Sequence, residues 1–302
     1  MIKYYDVAVI GGGPCGVAAL TYLVQAGYKC CLIEKEIVGG QPRYTTNITN
    51  LVGFEGTGED LANMLDKKVQ ELNVDVYDLD FKGYGFTLLK MYSIEDKDIR
   101  IDAKAVVIAT GSKPKKLEEL EKANLKNIHY CSLCDGPLYK GKNVVVFGGG
   151  NSAITEALHL SKICNKVAVL TLNKYGFTAT KSLLDEAKKT DNIILSTYTG
   201  LDKDHIIGIE NLDFPEKIDG IFVSIGRSPN SEMLDKSQLD EDGFIKVNKH
   251  FKVKTSYNNG YSKGLFAGGD VISKDVRQIS TAISDGVIIS QEVIKYLRRN
   301  KW

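Results

Sequence analysis

Asp6-Val-Ala-Val-Ile-Gly-Gly-Gly-Pro-Cys-Gly16 stands near the start of the chain, and Asn143-Val-Val-Val-Phe-Gly-Gly-Gly-Asn-Ser-Ala153 repeats its design in the middle. In each, a short apolar run reads as a strand, the glycines as a tight turn and the following residues as a helix. This is the setting in which G-x-G-x-x-G/A carries weight. The glycines let the backbone approach a pyrophosphate, whose charge rests on free N–H groups at the helix start. A single occurrence is weak, but two predict two dinucleotide-binding units in one chain. The candidate residues are Gly11, Gly13, Pro14, Cys15 and Gly16 in the first turn, and Gly148, Gly150, Asn151, Ser152 and Ala153 in the second.

Working outward, apolar runs recur at Val7 to Ile10, Cys30 to Ile33, Ala105 to Ala109, Val144 to Phe147, Val167 to Leu170 and Ile221 to Ile225. Runs of this kind, rich in Val and Ile, read as strands buried on both faces of a parallel sheet. Helical patterns fall between them at Leu61 to Leu72, Asn151 to Ile163, Lys181 to Lys189 and Gln278 to Leu297, which gives an α/β chain. Val7 to Tyr28 carries no charge, yet its glycines and Pro14 break it into strand, turn and helix rather than a leader or membrane span.

The first unit has an acid, Glu34, about twenty residues beyond its turn, where it can hold the ribose hydroxyls of an adenine dinucleotide. The corresponding strand of the second unit ends in Thr171-Leu172-Asn173-Lys174, with neither such an acid nor an arginine for a 2′-phosphate.

The chain has 302 residues with a net charge of +1, 43% hydrophobic and 25% charged residues, 29 glycines and six cysteines. That length predicts about two domains. The balanced charge gives no field to attract nucleic acid or an anionic membrane. Six scattered cysteines do not make a secreted disulfide framework, so a cytoplasmic location is expected. Cys131-Ser-Leu-Cys134-Asp135 is the one C-x-x-C, with no second pair to complete a zinc site. At the start of a helix it suits two-electron transfer between a flavin and a disulfide, with Asp135 placed to give or take the proton. Cys15, Cys30, Cys31 and Cys164 read as small buried hydrophobes, and His129, His159 and His205 as surface or satisfied histidines.

Taken together these residues resemble the low-molecular-weight thioredoxin reductases among the pyridine nucleotide-disulfide oxidoreductases. The resemblance rests on seven motifs in order: Gly11-x-Gly13-x-x-Gly16; Gly39-Gly40-Gln41 with Thr45-Thr46 and Asn50; Ala109-Thr110-Gly111; Cys131-x-x-Cys134-Asp135; Gly148-x-Gly150-x-x-Ala153; Ile225-Gly226-Arg227-x-Pro229-Asn230; and Ala267-Gly268-Gly269-Asp270 with Arg277-Gln278. It implies two Rossmann-like domains, the second inserted into the first: an FAD domain of residues 1–113 and 243–302, and a nucleotide-binding domain of 114–242 carrying the cysteines.

The resemblance places Glu34, Lys35, Gly40, Gln41, Thr46, Asn50, Ala109, Thr110, Gly111, Gly269, Asp270, Arg277, Gln278 and Ile279 around FAD with the first glycine turn. It implies that Cys134 meets the flavin, that Cys131 attacks the partner's disulfide and that Asp135 is the acid. It further implies thioredoxin or a thioredoxin-like partner, a homodimer and a rotation between domains. The family's cluster of arginines after the second turn is missing here. NADH, or NADPH at an atypical site, is therefore one donor reading and reduced ferredoxin another. A small-molecule dithiol oxidase and a flavin-bound redox sensor are the remaining alternatives.

Overall fold

The structure, a computed structural model, describes residues 1–45, 48–86, 91–96, 99–118, 120, 127–202, 205–207, 217–255 and 260–300. In chain order its elements begin with β1 (Ile2–Ile10), α1 (Pro14–Gln25), β2 (Cys30–Ile33), β3 (Ile48–Leu51), β4 (Phe54–Gly56), α2 (Gly58–Glu71) and β5 (Asp75–Tyr77). Next come β6 (Gly85–Phe86), β7 (Tyr92–Asp96), β8 (Ile99–Ile108), β9 (Ser112–Pro114), β10 (Ile128–His129), α3 (Ser132–Asp135), β11 (Asn143–Phe147) and α4 (Asn151–Leu160). They are followed by β12 (Lys166–Leu172), α5 (Lys181–Lys188), β13 (Ile193–Tyr198), β14 (Gly200–Asp202), β15 (His205–Ile207), β16 (Gly220–Val223), β17 (Arg227–Pro229), β18 (Lys252–Lys254), β19 (Tyr261–Ala267) and α6 (Ile279–Arg299). Each of the six apolar runs read as a strand overlaps one. Ala109 and the end of the Ile221 run lie just past β8 and β16.

The chain divides into two compact units, Met1–Lys113 with Ser228–Trp302, and Pro114–Arg227. The first is built on a sheet ordered β18-β19-β8-β1-β2-β5, with β7 paired to β8 and β6 to β7. The central pairs are parallel, with Ile10 beside Ile33 and Ile108. Because both faces are covered, β1 and β8 alternate between two cores instead of between core and water. Val7, Val9, Ala105 and Val107 face Leu20 and Leu23 of α1 and Ile289 and Val293 of α6. Ala8, Ile10, Val106 and Ile108 face Tyr92, Ile94, Leu234 and Ile245. Each Val, Ile or Leu so buried contributes about 1.5–3 kcal/mol.

The second unit is a parallel sheet ordered β10-β16-β11-β12-β13. Val144, Val146, Val167 and Val169 pack with Ile154, Ala157 and Leu160 of α4 on one face. Val145, Phe147, Ala168 and Leu170 pack with Leu120, Tyr198 and Val223 on the other.

The second crossing between the units corrects the sequence reading. It falls at Arg227–Ser228, not at 242–243. The polar run at Asp240 to Gly243 reads as a linker in sequence, but residues 228–242 are tied to the first unit by specific bonds. The Thr110 hydroxyl donates to the Asn230 carbonyl at 2.6 Å, and the Asn230 amide donates to the Thr110 carbonyl at 2.7 Å. The Ser231 hydroxyl donates to the Gly243 carbonyl at 2.6 Å, and Leu234 is part of the core beneath β8.

No described helix is long and apolar enough to cross a membrane.

Candidate active site

The first glycine turn connects β1 to α1. Gly11 has φ +103° and lies against the Ala109 carbonyl, so a side chain there would be both strained and obstructed. The Gly11 N–H donates to the Ile33 carbonyl at 2.8 Å and the Gly12 N–H to Glu34 Oε2 at 2.6 Å. Gly13 is the N-cap of α1, with no side chain capping its N–H groups, and Pro14 opens the helix. Those N–H groups are the donors that a pyrophosphate takes up. Cys15 and Gly16 follow in the first turn, both buried.

The other residues read as cofactor-binding converge around this turn in part. Gly40 backs onto Gly13 and leads into a one-turn helix starting at Gln41, whose Arg43 donates to the Val38 carbonyl at 2.9 Å. Asn50 on β3 donates to Gln278 Oε1 at 3.2 Å, joining two of the expected residues across 228 positions. Gly269 touches Cys15 and donates its N–H to Asp285 at 3.0 Å. Lys274 joins Asp285 at 2.9 Å and Asp270 at 3.5 Å. Arg277 stacks its guanidinium 4.0 Å above the Phe244 ring, and Gln278 is the N-cap of α6, which starts at Ile279. Ala109, Thr110 and Gly111 close the C-terminal end of β8, where Asn230 holds Thr110. Lys35 stands apart in an exposed pair with Asp80. Thr46 lies outside the described residues.

FAD fits this group of residues. Arg43 Nε and Arg277 Nε are buried with no hydrogen-bond partner among the described residues, and Asp270 Oδ1, buried beside them, has only the Lys274 ammonium at 3.5 Å; such groups cost free energy unless a polar ligand satisfies them. Beside them are an uncapped helix start for the pyrophosphate and a carboxylate, Glu34, for the ribose.

The second turn reproduces the backbone bond that anchors the first. Gly148 has φ +142° and donates to the Leu170 carbonyl at 2.9 Å, as Gly11 does to Ile33. Gly150 is the uncapped N-cap of α4. Ala153 is buried in the first turn of α4, while Asn151 and Ser152 are exposed there, Asn151 accepting from the Thr180 N–H at 2.8 Å. The register pairs Phe147 with Leu170 where the first unit pairs Ile10 with Ile33. Thr171 therefore holds the place of Glu34. Its hydroxyl donates to the Gly176 carbonyl at 3.1 Å instead of accepting from the turn, and the Lys174 ammonium lies over the Tyr175 ring at 4.8 Å. Both features of a ribose or 2′-phosphate reader, acid and guanidinium, are absent from this strand end.

Cys131 and Cys134 form a disulfide with Cα atoms 5.3 Å apart. Cys131 is the N-cap of α3, and its carbonyl accepts from the Asp135 N–H at 3.0 Å. Both cysteines are half-buried. The remaining cysteines are buried free thiols, as the sequence predicts. Burial pushes Cys30 up to about 12 and Cys164 up to about 11, and raises Cys15 and Cys31 further, so none is a thiolate near neutrality. Redox chemistry among the described cysteines is left to the 131–134 pair.

The Asp135 side chain is buried, with Oδ2 3.2 Å from His129 Nδ1 and Oδ1 lacking any hydrogen-bond partner among the described residues. His129 Nε2 in turn lies 2.6 Å from the Tyr139 hydroxyl. Sequence reasoning takes His129 for a bystander preceding the cysteine pair and passes over Tyr139. The available signal is the order His129, Cys131, Cys134, Asp135, Tyr139 within eleven residues, which a strand and two helical turns fold into one cluster.

The pyridine nucleotide-disulphide oxidoreductase family matches residues 5–286. The chain is 36% identical over 314 residues to a thioredoxin reductase of Borreliella burgdorferi, covering 97% of this chain and 92% of the other. It is 34% identical over 313 residues to a 34.2 kDa protein in the rubredoxin operon of Clostridium pasteurianum, covering 98% of each. The crystal structure of thioredoxin reductase from Streptococcus pyogenes superposes with a TM-score of 0.83 at 29% identity, covering 98% of this chain and 99% of that one. On the two glycine turns, the disulfide and these matches over nearly its whole length, the chain belongs to the pyridine nucleotide-disulphide oxidoreductase family, as an FAD-dependent oxidoreductase similar to the low-molecular-weight thioredoxin reductases.

Proposed function

We propose that the protein reduces the disulfide of thioredoxin or a thioredoxin-like protein through Cys131 and Cys134, and that it draws electrons from NADH or another donor in preference to NADPH. The observation that carries the reading is a closed Cys131–Cys134 disulfide beside a buried carboxylate, in a unit built on a second dinucleotide turn. Gly11, Gly13 and the start of α1 would hold the pyrophosphate of FAD and Glu34 its ribose, with Asn50, Asp270, Arg277 and Gln278 around the rest. Bound FAD supplies two electrons to the disulfide.

In the dithiol form, the Cys131 thiolate attacks one sulfur of the substrate disulfide, forming a mixed disulfide and releasing the first substrate thiolate. Cys134 then attacks Cys131 Sγ, so the Cys131–Cys134 bond re-forms and the second substrate thiolate leaves. One S–S bond breaks, one forms, and two protons pass from the pair to the substrate. Asp135 carries a proton from an attacking thiol to a leaving thiolate.

Preference against NADPH is supported by the strand end of β12. A 2′-phosphate usually has a planar bidentate guanidinium, and Thr171, Asn173 and Lys174 offer none. The same observation favours a second reading, in which reduced ferredoxin is the donor. Anaerobic titration of the holoenzyme with NADPH, NADH and reduced ferredoxin, following loss of oxidised flavin absorbance, decides between them. Rapid bleaching by NADH supports the first reading, bleaching by ferredoxin alone the second, and equal or faster bleaching by NADPH overturns the donor preference. Replacing Cys134 with Ser should abolish thioredoxin reduction while flavin reduction by the donor persists. Retained thioredoxin reduction would remove the cysteine pair from the reaction.

A further inference from the structure

His129 contacts Asp135 and packs in turn with Tyr139 and Phe222, and each of the three is placed by a separate piece of the second unit. β10 lies beside β16 with His129 in register with Phe222, which sets the imidazole 5.3 Å from the Phe222 ring at a tilt of 31°. The one-turn helix Gly136–Tyr139 brings the Tyr139 ring edge-on to both His129, at 5.2 Å, and Phe222, at 5.6 Å. Gly220 makes that possible. Its φ is ordinary, but a Cβ there would overlap the Tyr139 ring, so the glycine serves close approach alone.

With the imidazole neutral, one placement of protons satisfies both contacts of His129 and leaves Asp135 Oδ1 unpartnered among the described residues. An ionised carboxylate only accepts, so His129 Nδ1 must carry a proton to donate to Asp135 Oδ2. A neutral imidazole then has Nε2 free to accept, and the Tyr139 hydroxyl donates to it. Burial, and the carboxylates of Asp135 and Asp219, push the Tyr139 phenol above its usual range, which keeps that donor protonated. The Lys142 ammonium lies over the Tyr139 ring at 5.5 Å. Among the described residues, His129, Tyr139, the cysteine pair, Lys142 and Asp219, with Lys217 at 3.3 Å from Asp219, are thus the titratable and charged groups around Asp135 and its partners.

We propose that His129, held in its Nδ1–H form by Tyr139, is the positioning residue of Asp135: it occupies Oδ2 and leaves Oδ1 as the oxygen that carries the proton in thiol–disulfide exchange. The inference rests on the reading of Asp135 as the proton carrier. The proton that Oδ1 takes from one thiol goes to the leaving thiolate, so none has to pass through His129. A histidine that merely satisfied the sheet edge would leave the exchange reaction and its pH profile unaltered.

The test uses the FAD-loaded holoenzyme, reduced anaerobically with stoichiometric dithionite and mixed with hydroxyethyl disulfide, whose leaving alkyl thiolate takes up a proton, with mercaptoethanol release followed across pH. Asp135→Asn should slow release by about 100-fold, in the range of a lost general acid–base. His129→Ala should slow it by about tenfold and move the midpoint of the pH profile, given that a positioning group contributes less than the group it positions. His129→Asn, whose amide can stand where Nδ1 stands, should recover most of that loss. The double variant His129→Ala/Asp135→Asn should be no slower than Asp135→Asn alone, since residues acting as one unit are not additive.

Flavin absorbance and the unfolding midpoint report whether each variant is folded, and His129→Asn keeps the question open to test if His129→Ala fails to fold. The inference is overturned if His129→Ala follows the wild-type profile while Asp135→Asn is slow, if His129→Asn is as slow as His129→Ala, or if the two losses multiply in the double variant. A wild-type rate for Asp135→Asn would instead bring down the assignment of Asp135 itself.

Discussion

Glu156 shows at the scale of one residue what the second unit tolerates in its interior. It lies on α4, with Oε1 accepting from the Ser224 hydroxyl at 3.2 Å and Oε2 buried without a hydrogen-bond partner among the described residues. Burial pushes its carboxyl up to about 7 from the ordinary 4.5, while the Ser224 hydrogen bond and the Arg227 charge pull back part of the rise. Between those two values the folded state holds a proton that the unfolded state has released. The sign is then fixed: stability is highest below the unfolded value and falls as pH rises through the folded one, by up to about 3 kcal/mol. Chemical unfolding of wild type between pH 4.5 and 7 should show this decline. Glu156→Gln should flatten it and leave the variant the more stable of the two at the upper end. Parallel declines in both proteins would mean that Glu156 does not hold a proton in the folded state.

At the scale of elements, the two glycine turns are the same device with different readers, and the comparison shows what is legible in a sequence. Both turns, the strands before them and the helices after them are visible from the apolar runs and glycine spacing. Their cause is local, since each strand is buried on both faces and each helix start is set by a glycine. The loss of the acid at Thr171 is legible too, because the strand-end position follows from counting along β12. The His129–Asp135–Tyr139 cluster is not, since it depends on β10 lying beside β16 and on Gly220 leaving room for a ring, which are tertiary facts. The placement of residues 228–242 escapes for a related reason: the polar run at Asp240 to Gly243 offers a crossing point in sequence, whereas the bonds of Asn230 and Ser231 to Thr110 and Gly243 that attach the segment to the first unit are tertiary.

The strand end also yields a prediction about its reader. Asn173 and Lys174 are exposed at the end of β12, so Asn173→Arg/Lys174→Arg can be made without disturbing the core. If the adenosine end of a nicotinamide nucleotide lies there, two guanidinium groups should raise the ratio of kcat/KM for NADPH to that for NADH by about tenfold or more. An unchanged ratio would place the nucleotide elsewhere or leave it out of the reaction.

At the scale of the whole molecule, the chain enters and leaves the second unit by adjacent strands. β9 and β17 pair in a two-stranded ladder, and the Asn230 N–H donates to the Gly111 carbonyl at 3.0 Å just on the first unit's side of it. The points where the first unit is interrupted therefore lie close together, and a short glycine-serine turn can bridge Lys113 to Ser228. Among the described residues, both cores of the first unit draw on its own side chains, including Leu234 and Ile245 from the returning segment. The residues that fit FAD are all retained as well, from Gly11 to Glu34, Asn50, Asp270 and Arg277. A protein lacking Pro114–Arg227 should accordingly fold, bind FAD and be yellow, yet reduce no disulfide, having lost Cys131 and Cys134. Cutting instead at 242–243 removes Asn230, Ser231 and Leu234 from the first unit. That form should lose its FAD absorbance and unfold at a lower temperature than the shorter excision. Equal FAD binding and equal melting by the two forms would show that residues 228–242 do not belong to the first unit's fold.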